Sequence, residues 1–184
     1  MIRGKLIFYF CFFSCLSMVF SSCSTKKKTW FSRQYHNTTA RYNGYFNGNE
    51  SIKYGVKKIN DSFEDDYSTI LPVFKTGNLK KSKSTHPYMD KAIQKGSIVI
   101  QKHSIKIRGK EYCRWIDDNY FMIGKAYYYK GEFDEAIKTF SFIMEEYKKS
   151  FMSHKASLWL ARCFIEKKDY ASAEAILIDL GNNR

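Results

Sequence analysis

The chain is poor in the residues from which catalytic and metal sites are assembled. Its four histidines, His36, His86, His103 and His154, are scattered, and no two stand at the short helical or loop spacing that binds zinc. No glycine-rich phosphate loop, nucleophile elbow or zinc-protease motif is present. The carboxylates of Glu64-Asp65-Asp66 are consecutive, so they point in different directions and read as a solvated turn. The chain therefore offers no candidate catalytic residue, no metal site and no cofactor site, and reads as a non-enzyme. Cysteine is scarce as well. Cys11 and Cys15 lie in an N-terminal apolar run, Cys23 follows it, and only Cys113 and Cys163 remain in the body of the chain, which excludes a disulfide framework. Acidic residues are in deficit, 18 against 31 lysines and arginines, for a formal charge of +13. Such a balance attracts anions of any kind, yet no finger, RNP or homeodomain motif is present, so nucleic acid is not the expected partner.

What is there begins with Met1-Ile-Arg3-Gly-Lys5, a short basic region, and Leu6 to Phe20, an almost unbroken apolar one. This pattern predicts an export signal over residues 1–22, its apolar run too short to remain as a comfortable membrane span. Ser21-Ser22-Cys23-Ser24 resembles a bacterial lipobox, with Phe20 where leucine is commoner. Cys23 is then the lipidated first residue of the mature protein, and residues 23–30 are its tether. Lys26-Lys27-Lys28 can attract anionic headgroups beside that anchor or serve as a solvated spacer. With Cys11 and Cys15 removed, Cys113 and Cys163 are expected as free thiols, Cys163 on an inner helix face.

Fold class is set by the carboxyl-terminal half. In Asp117 to Tyr127 the residues Tyr120, Ile123, Gly124 and Tyr127 recur at three- and four-residue steps, on one face of a helix. Lys130-Gly131-Glu132 breaks that helix. A second one restarts from Asp134 as N-cap, with Phe133 just before it and Ala136, Ile137, Phe140 and Ile143 on one stripe. Gly124 and Ala136 are expected where the two helices come closest. A shift of 37 residues places Gly124 on Ala161, Tyr127 on Phe164, Phe133 on Tyr170, Ala136 on Ala173 and Phe140 on Leu177, with Leu160 beside Ala161. This resembles the tetratricopeptide repeat, in two copies, 117–150 and 154–184, slightly longer than the usual period of about 34 residues. The extra length is placed around Phe151 to His154, and Lys148 stands where the repeat usually has proline. The expected fold is all-α: helical hairpins stacked as a tetratricopeptide-like solenoid, preceded by the signal peptide.

Upstream, residues 31–74 predict a further helical hairpin. Its first helix, Ser32 to Tyr45, carries Tyr35, Thr38, Thr39, Tyr42 and Phe46 on one face, Asn47-Gly48-Asn49 ends it, and Ser51 to Ile59 restarts it. Residues 75–86 read as a basic loop or linker. Residues 87–116 hold a helix with Ala92, Ile93, Gly96, Val99, Ile100 and His103 on one stripe, followed by a connection. Because about three repeats are needed for a stable stack, these upstream helices are expected to cover one end of the two repeats. The absence of a polar capping helix at the other end suggests an array that continues.

Tyr42-Asn43-Gly-Tyr-Phe46-Asn47-Gly48-Asn49-Glu50, together with Cys23-Ser-Thr-Lys-Lys, Arg33-Gln-Tyr-His36, Asp65-Asp-Tyr-Ser-Thr-Ile-Leu-Pro72, His103-Ser, Gly109-Lys-Glu111, Trp115-Ile-Asp-Asp118 and Gly124-Lys-Ala126, resembles the PorW/SprE lipoproteins of the Bacteroidetes type IX secretion and gliding machinery. The Tyr42 to Glu50 run is far more specific than the repeat pattern. The resemblance implies a lipid-anchored protein on the periplasmic face of the outer membrane. It implies a scaffold that binds the periplasmic ring and trans-envelope core components. Two other readings stay open: an outer-membrane assembly lipoprotein of the BamD kind, and a glycan-binding lipoprotein of the SusD kind.

Overall fold

A computed structural model describes residues 29–68, 71 and 83–182. The expected signal segment, Cys23, the Lys26-Lys27-Lys28 cluster, Pro72 and nearly all of the basic stretch from Lys75 to Lys83 lie outside the described residues. The helices are α1 (Trp30–Thr39), a π-helical turn (Ala40–Tyr45), α2 (Phe46–Asp61), α3 (His86–His103), α4 (Ile116–Lys130), α5 (Phe133–Glu146), α6 (Phe151–Glu166) and α7 (Tyr170–Asn182). From α2 onward each helix packs on the next in sequence order. The result is an all-α solenoid of stacked helix pairs.

The largest departure from the sequence reading is at the amino-terminal end. Asn47-Gly48-Asn49 does not end a helix: α1, the π turn and α2 run without a break from Trp30 to Asp61. The Asn47 side chain, instead of opening a turn, donates back to the Asn43 carbonyl at 2.9 Å, a bond that fits inside a helix. The buried face is also the opposite one from that expected. Tyr35, Tyr42 and Phe46 are exposed, and the buried stripe is His36, Ala40, Gly44, Gly48 and Ile52. These residues stand four apart, whereas an α-helix turns every 3.6 residues or so, and the stripe would drift around a regular helix. The wider π turn, in which the Phe46 amide bonds the Arg41 carbonyl, brings it back into line.

The partner of this long helix is α3. Its first turn holds Pro87, where no intrahelical bond is lost, and it buries Met89, Ala92, Gly96, Val99 and His103, close to the stripe expected. Small residues let the two helices approach: a Cβ on Gly44 would lie 1.8 Å from Val99 Cγ2. On its other side α3 packs against α4, so the upstream helices do cover that end of the repeats.

Between α3 and α4 the chain forms a small hairpin, β1 (Lys106–Ile107) paired antiparallel with β2 (Lys110–Glu111). Arg108 and Gly109 turn it at φ of 52° and 77°, the left-handed pair that a two-residue hairpin loop requires. Helix α4 is buried on nearly every side, touching α3, α5 and α6. Gly131 ends it at φ 80°. Glu132, not Asp134, is the cap residue of α5, and Asp134 instead sits in the first turn, paired with Lys167. Ser150 caps α6 by accepting from the Met152 amide at 3.0 Å, so Phe151 to His154 form the opening turn of that helix and are not an inserted loop.

Candidate functional site

Two regions hold the residues singled out by the sequence: the paired hairpins α4 to α7, and the corner where α1, the π turn and residues 104–115 meet α3.

In the hairpins, Ile123, Ala136, Phe140, Leu160, Ala161 and Ala173 are buried, and Gly124 lies beneath the Phe140 ring, where a Cβ would come within 2.6 Å. Tyr120, Tyr127, Phe133 and Phe164 are half-buried against the same core. Tyr170 and Leu177 depart from expectation, being 63% and 41% exposed. Their counterparts Phe133 and Phe140 are covered because α6 packs on α5, while no described element lies beyond α7. The 37-residue register holds down to the backbone bonds. Gly131 N bonds Tyr128 O and Glu132 N bonds Tyr127 O, both at 3.0 Å. Lys168 N bonds Ile165 O and Asp169 N bonds Phe164 O, both at 2.9 Å. Lys168, at φ 62°, therefore repeats the left-handed conformation of Gly131.

Trp159 was not foreseen as a packing residue. Its ring meets Phe121, Tyr128, Tyr129 and Phe140 at centroid distances between 5.2 and 6.1 Å. Its size alone, at a position without a counterpart of similar bulk one period earlier, was the available signal. The Arg162 guanidinium lies 4.5 Å and the Lys125 ammonium 5.5 Å from that ring. Burial, and then the charges of Lys155, Arg162 and Lys53, hold the Lys125 ammonium below its ordinary range. Cys113 and Cys163 are both buried and free. Burial pushes their thiols up to about 11 and about 12 respectively, so neither is a nucleophile near neutral pH.

At the corner, the residues of the Tyr42 to Glu50 run lie along one helix, and of them only Tyr42 lines the cleft there. Tyr42, Asn43, Phe46 and Asn47 face outward, Asn49 and Glu50 are half-buried, and Gly48 packs against Met122. The structure also brings together residues that sequence spacing kept apart. His36 and His103, 67 positions distant, share a buried hydrogen bond between their Nδ1 atoms at 2.8 Å. One ring must donate Nδ1–H and the other accept at an unprotonated Nδ1, so the bond forms when both rings are neutral or when only the donor is protonated, and is lost when both are charged. Desolvation holds both imidazoles below their usual value, with the mutual repulsion adding to it at His103. Glu111 organises the connection. Its Oε1 accepts from the amides of Ile105, Tyr112 and Cys113 at 2.8 to 2.9 Å, and its Oε2 from Ser104 Oγ at 2.5 Å. Asn37 then ties this segment to α1, accepting from the Arg114 amide at 2.7 Å and donating to the Arg33 carbonyl at 2.8 Å. A glutamate directly after a Gly-Lys turn was the only sequence sign of this arrangement.

Among the described residues no group of three or more His, Cys, Asp or Glu could hold a metal ion, and no helix is long and apolar enough to cross a membrane. Residues 122–184 match the family model for the tetratricopeptide repeat. The chain contains a tetratricopeptide-repeat region. The match spans most of α4 and all of α5 to α7, the two hairpins whose backbone bonds repeat. No curated protein matches the chain. Tetratricopeptide repeats are typically non-catalytic scaffolds that bind other proteins, and the residues between Asp117 and Leu177 do structural work of that kind: they set helix spacing and leave side chains of α6 facing outward.

Proposed function

We propose that the chain is a non-enzymatic, lipid-anchored tetratricopeptide-repeat scaffold of the type IX secretion machinery and, in gliding species, of motility. In this reading acylated Cys23 holds it on the periplasmic face of the outer membrane, and it works by binding components of the periplasmic ring and trans-envelope core. The observation that carries the scaffold part is the repeat match over 122–184 on a stack of hairpins that share one hydrophobic cluster. Support for the specific machinery comes from the Tyr42 to Glu50 run. Its polar and aromatic members Tyr42, Asn43, Phe46 and Asn47 stand outward on a helix fixed to the stack, available to a partner. Its glycines fix the helix in place.

Deleting the gene should abolish release of type IX substrates while leaving other outer-membrane proteins at normal levels. Unchanged secretion rejects the proposal, and a broad fall in barrel proteins favours the assembly-lipoprotein reading. Cys23→Ala should leave the precursor unprocessed by the lipoprotein signal peptidase and unacylated; continued acylation would show that a different cysteine is the anchor.

A further inference from the structure

The corner between α1 and the 112–115 segment encloses a cleft of about 410 Å³. Three arginines line it: Arg33 and Arg41 from one face of α1 and the π turn, and Arg114 from the opposite wall. Trp30, Tyr42, Tyr112 and Trp115 supply the aromatic surface. The Arg41 guanidinium lies 5.0 Å from the rings of both Tyr42 and Trp115, and the Arg33 guanidinium 6.0 Å from that of Tyr112, against which Lys110 also rests at 5.5 Å. No carboxylate lines the cleft, and none pairs with Arg33, Arg41 or Arg114 among the described residues. The nearest acidic residue in sequence, Glu111, spends its oxygens on Ser104 and three backbone amides. Asn37 fixes the two walls relative to each other through Arg114 N and Arg33 O.

We infer that this cleft is a binding site for the phosphate headgroup of an anionic lipid. Three guanidiniums line one cleft with no carboxylate among its lining residues, an arrangement suited to an anion that presents several oxygens at once. Phosphate does so better than a single carboxylate, and the guanidinium fork matches its geometry. The volume lies near the lower end of the roughly 300 to 1,000 Å³ of small-ligand sites, enough for a headgroup and too little for a folded segment. The rim decides between a lipid and a free ion. Trp30 and Phe31 are 59% and 79% exposed beside the arginines, and tryptophan with neighbouring basic residues is the pattern of a surface lying at a membrane interface. Acylation of Cys23 is not required, so the site stands or falls independently of the secretion reading.

The test uses the full chain in neutral detergent micelles, titrated calorimetrically with dioctanoyl phosphatidate and, separately, with inorganic phosphate. Phosphatidate should saturate at one site per chain and bind about tenfold or more tighter than inorganic phosphate. Combining Arg33→Gln, Arg41→Gln and Arg114→Gln should weaken phosphatidate about tenfold or more, while Lys57→Gln with Lys91→Gln, away from the cleft, should not. Should the triple variant fail to fold, Arg41→Lys keeps the charge but loses the fork and the ring contacts, and should still weaken binding several-fold. Equal binding of phosphate and phosphatidate overturns the inference. So does absence of saturation, or equal loss from the distant lysine substitutions.

Discussion

The close approach of the π turn to α3 makes Gly44 the most demanding position in the fold. A methyl group there would meet Val99 Cγ2 at 1.8 Å and Val99 Cβ at 3.2 Å, against about 3.5 to 4.0 Å for an ordinary carbon contact. Valine cannot swing away easily, because its branched Cβ leaves few rotamers in a helix. Gly44→Ala therefore incurs an overpacking cost of about 1 to 3 kcal/mol. The better helix propensity of alanine offsets about 1 kcal/mol of that, for a net loss of up to about 2 kcal/mol, towards the upper end because the overlap is so short. Gly48 is the internal control. Its added methyl would meet Met122 Sδ at 2.5 Å and Cε at 2.6 Å, the far end of a flexible side chain that can move aside, so Gly48→Ala should be nearly neutral. For a chain of this size each kcal/mol shifts the melting temperature by about 2 to 4 °C. Thermal unfolding followed by far-ultraviolet circular dichroism should place Gly44→Ala clearly below wild type and Gly48→Ala close to it. Adding Val99→Ala should recover part of the Gly44→Ala loss, a coupling that a double-mutant cycle isolates. Equal tolerance at the two glycines, or strict additivity with Val99→Ala, would refute the continuous helix packed on α3.

Lys168→Gly should stabilise the chain by about 1 kcal/mol, since glycine adopts the left-handed conformation without steric cost; an unchanged or lowered melting temperature would show that the second turn does not copy the first. Glu111→Ala should be severely destabilising, on the order of 3 kcal/mol, because it strands several buried donors at once, and urea titration would measure it. The His36–His103 pair makes stability depend on acid. Because the folded imidazoles sit below the ordinary value of 6.5, the unfolded chain binds more protons, and the contribution is complete above pH 6.5 and drains as pH falls below it. Asp118 runs the other way: burial first, then Asp117, raise its carboxyl to about 6, so its contribution is full below about pH 4 and lost as pH rises through 6. Melts at pH 5 and 7.5 should thus show a flatter acid limb for His103→Gln and a gain for Asp118→Asn that is larger at the higher pH. Iodoacetamide at pH 8 should leave Cys113 and Cys163 unmodified in the folded chain and label both after denaturation, as read by peptide mass mapping; rapid native labelling would contradict their burial.

The repeats were legible because their signal is local and doubled. Gly124 with Ala161, and Ala136 with Ala173, fixed the register, and the bonds around Gly131 and Lys168 confirm it residue by residue. The amino-terminal helix was misread because Asn-Gly-Asn is ordinarily a breaker and large aromatics ordinarily mark a buried face. Here tertiary packing reversed both rules: α3 approaches closely enough to need glycine, and Tyr35, Tyr42 and Phe46 are left outside. Tyr170 and Leu177 were assigned by register alone, which gives a residue's place on a helix but not what lies opposite it. The His36–His103 bond, the Glu111 latch and the arginine cleft depend on contacts between distant segments, for which a single sequence carries no period to detect.

The most direct test of the scaffold account is affinity capture of the epitope-tagged protein from gently solubilised envelopes of its native host, with mass spectrometry of what comes with it. Components of the periplasmic ring and trans-envelope core of the type IX machinery should be enriched over an untagged control. Their absence, with barrel-assembly proteins or glycan-uptake partners in their place, would contradict it.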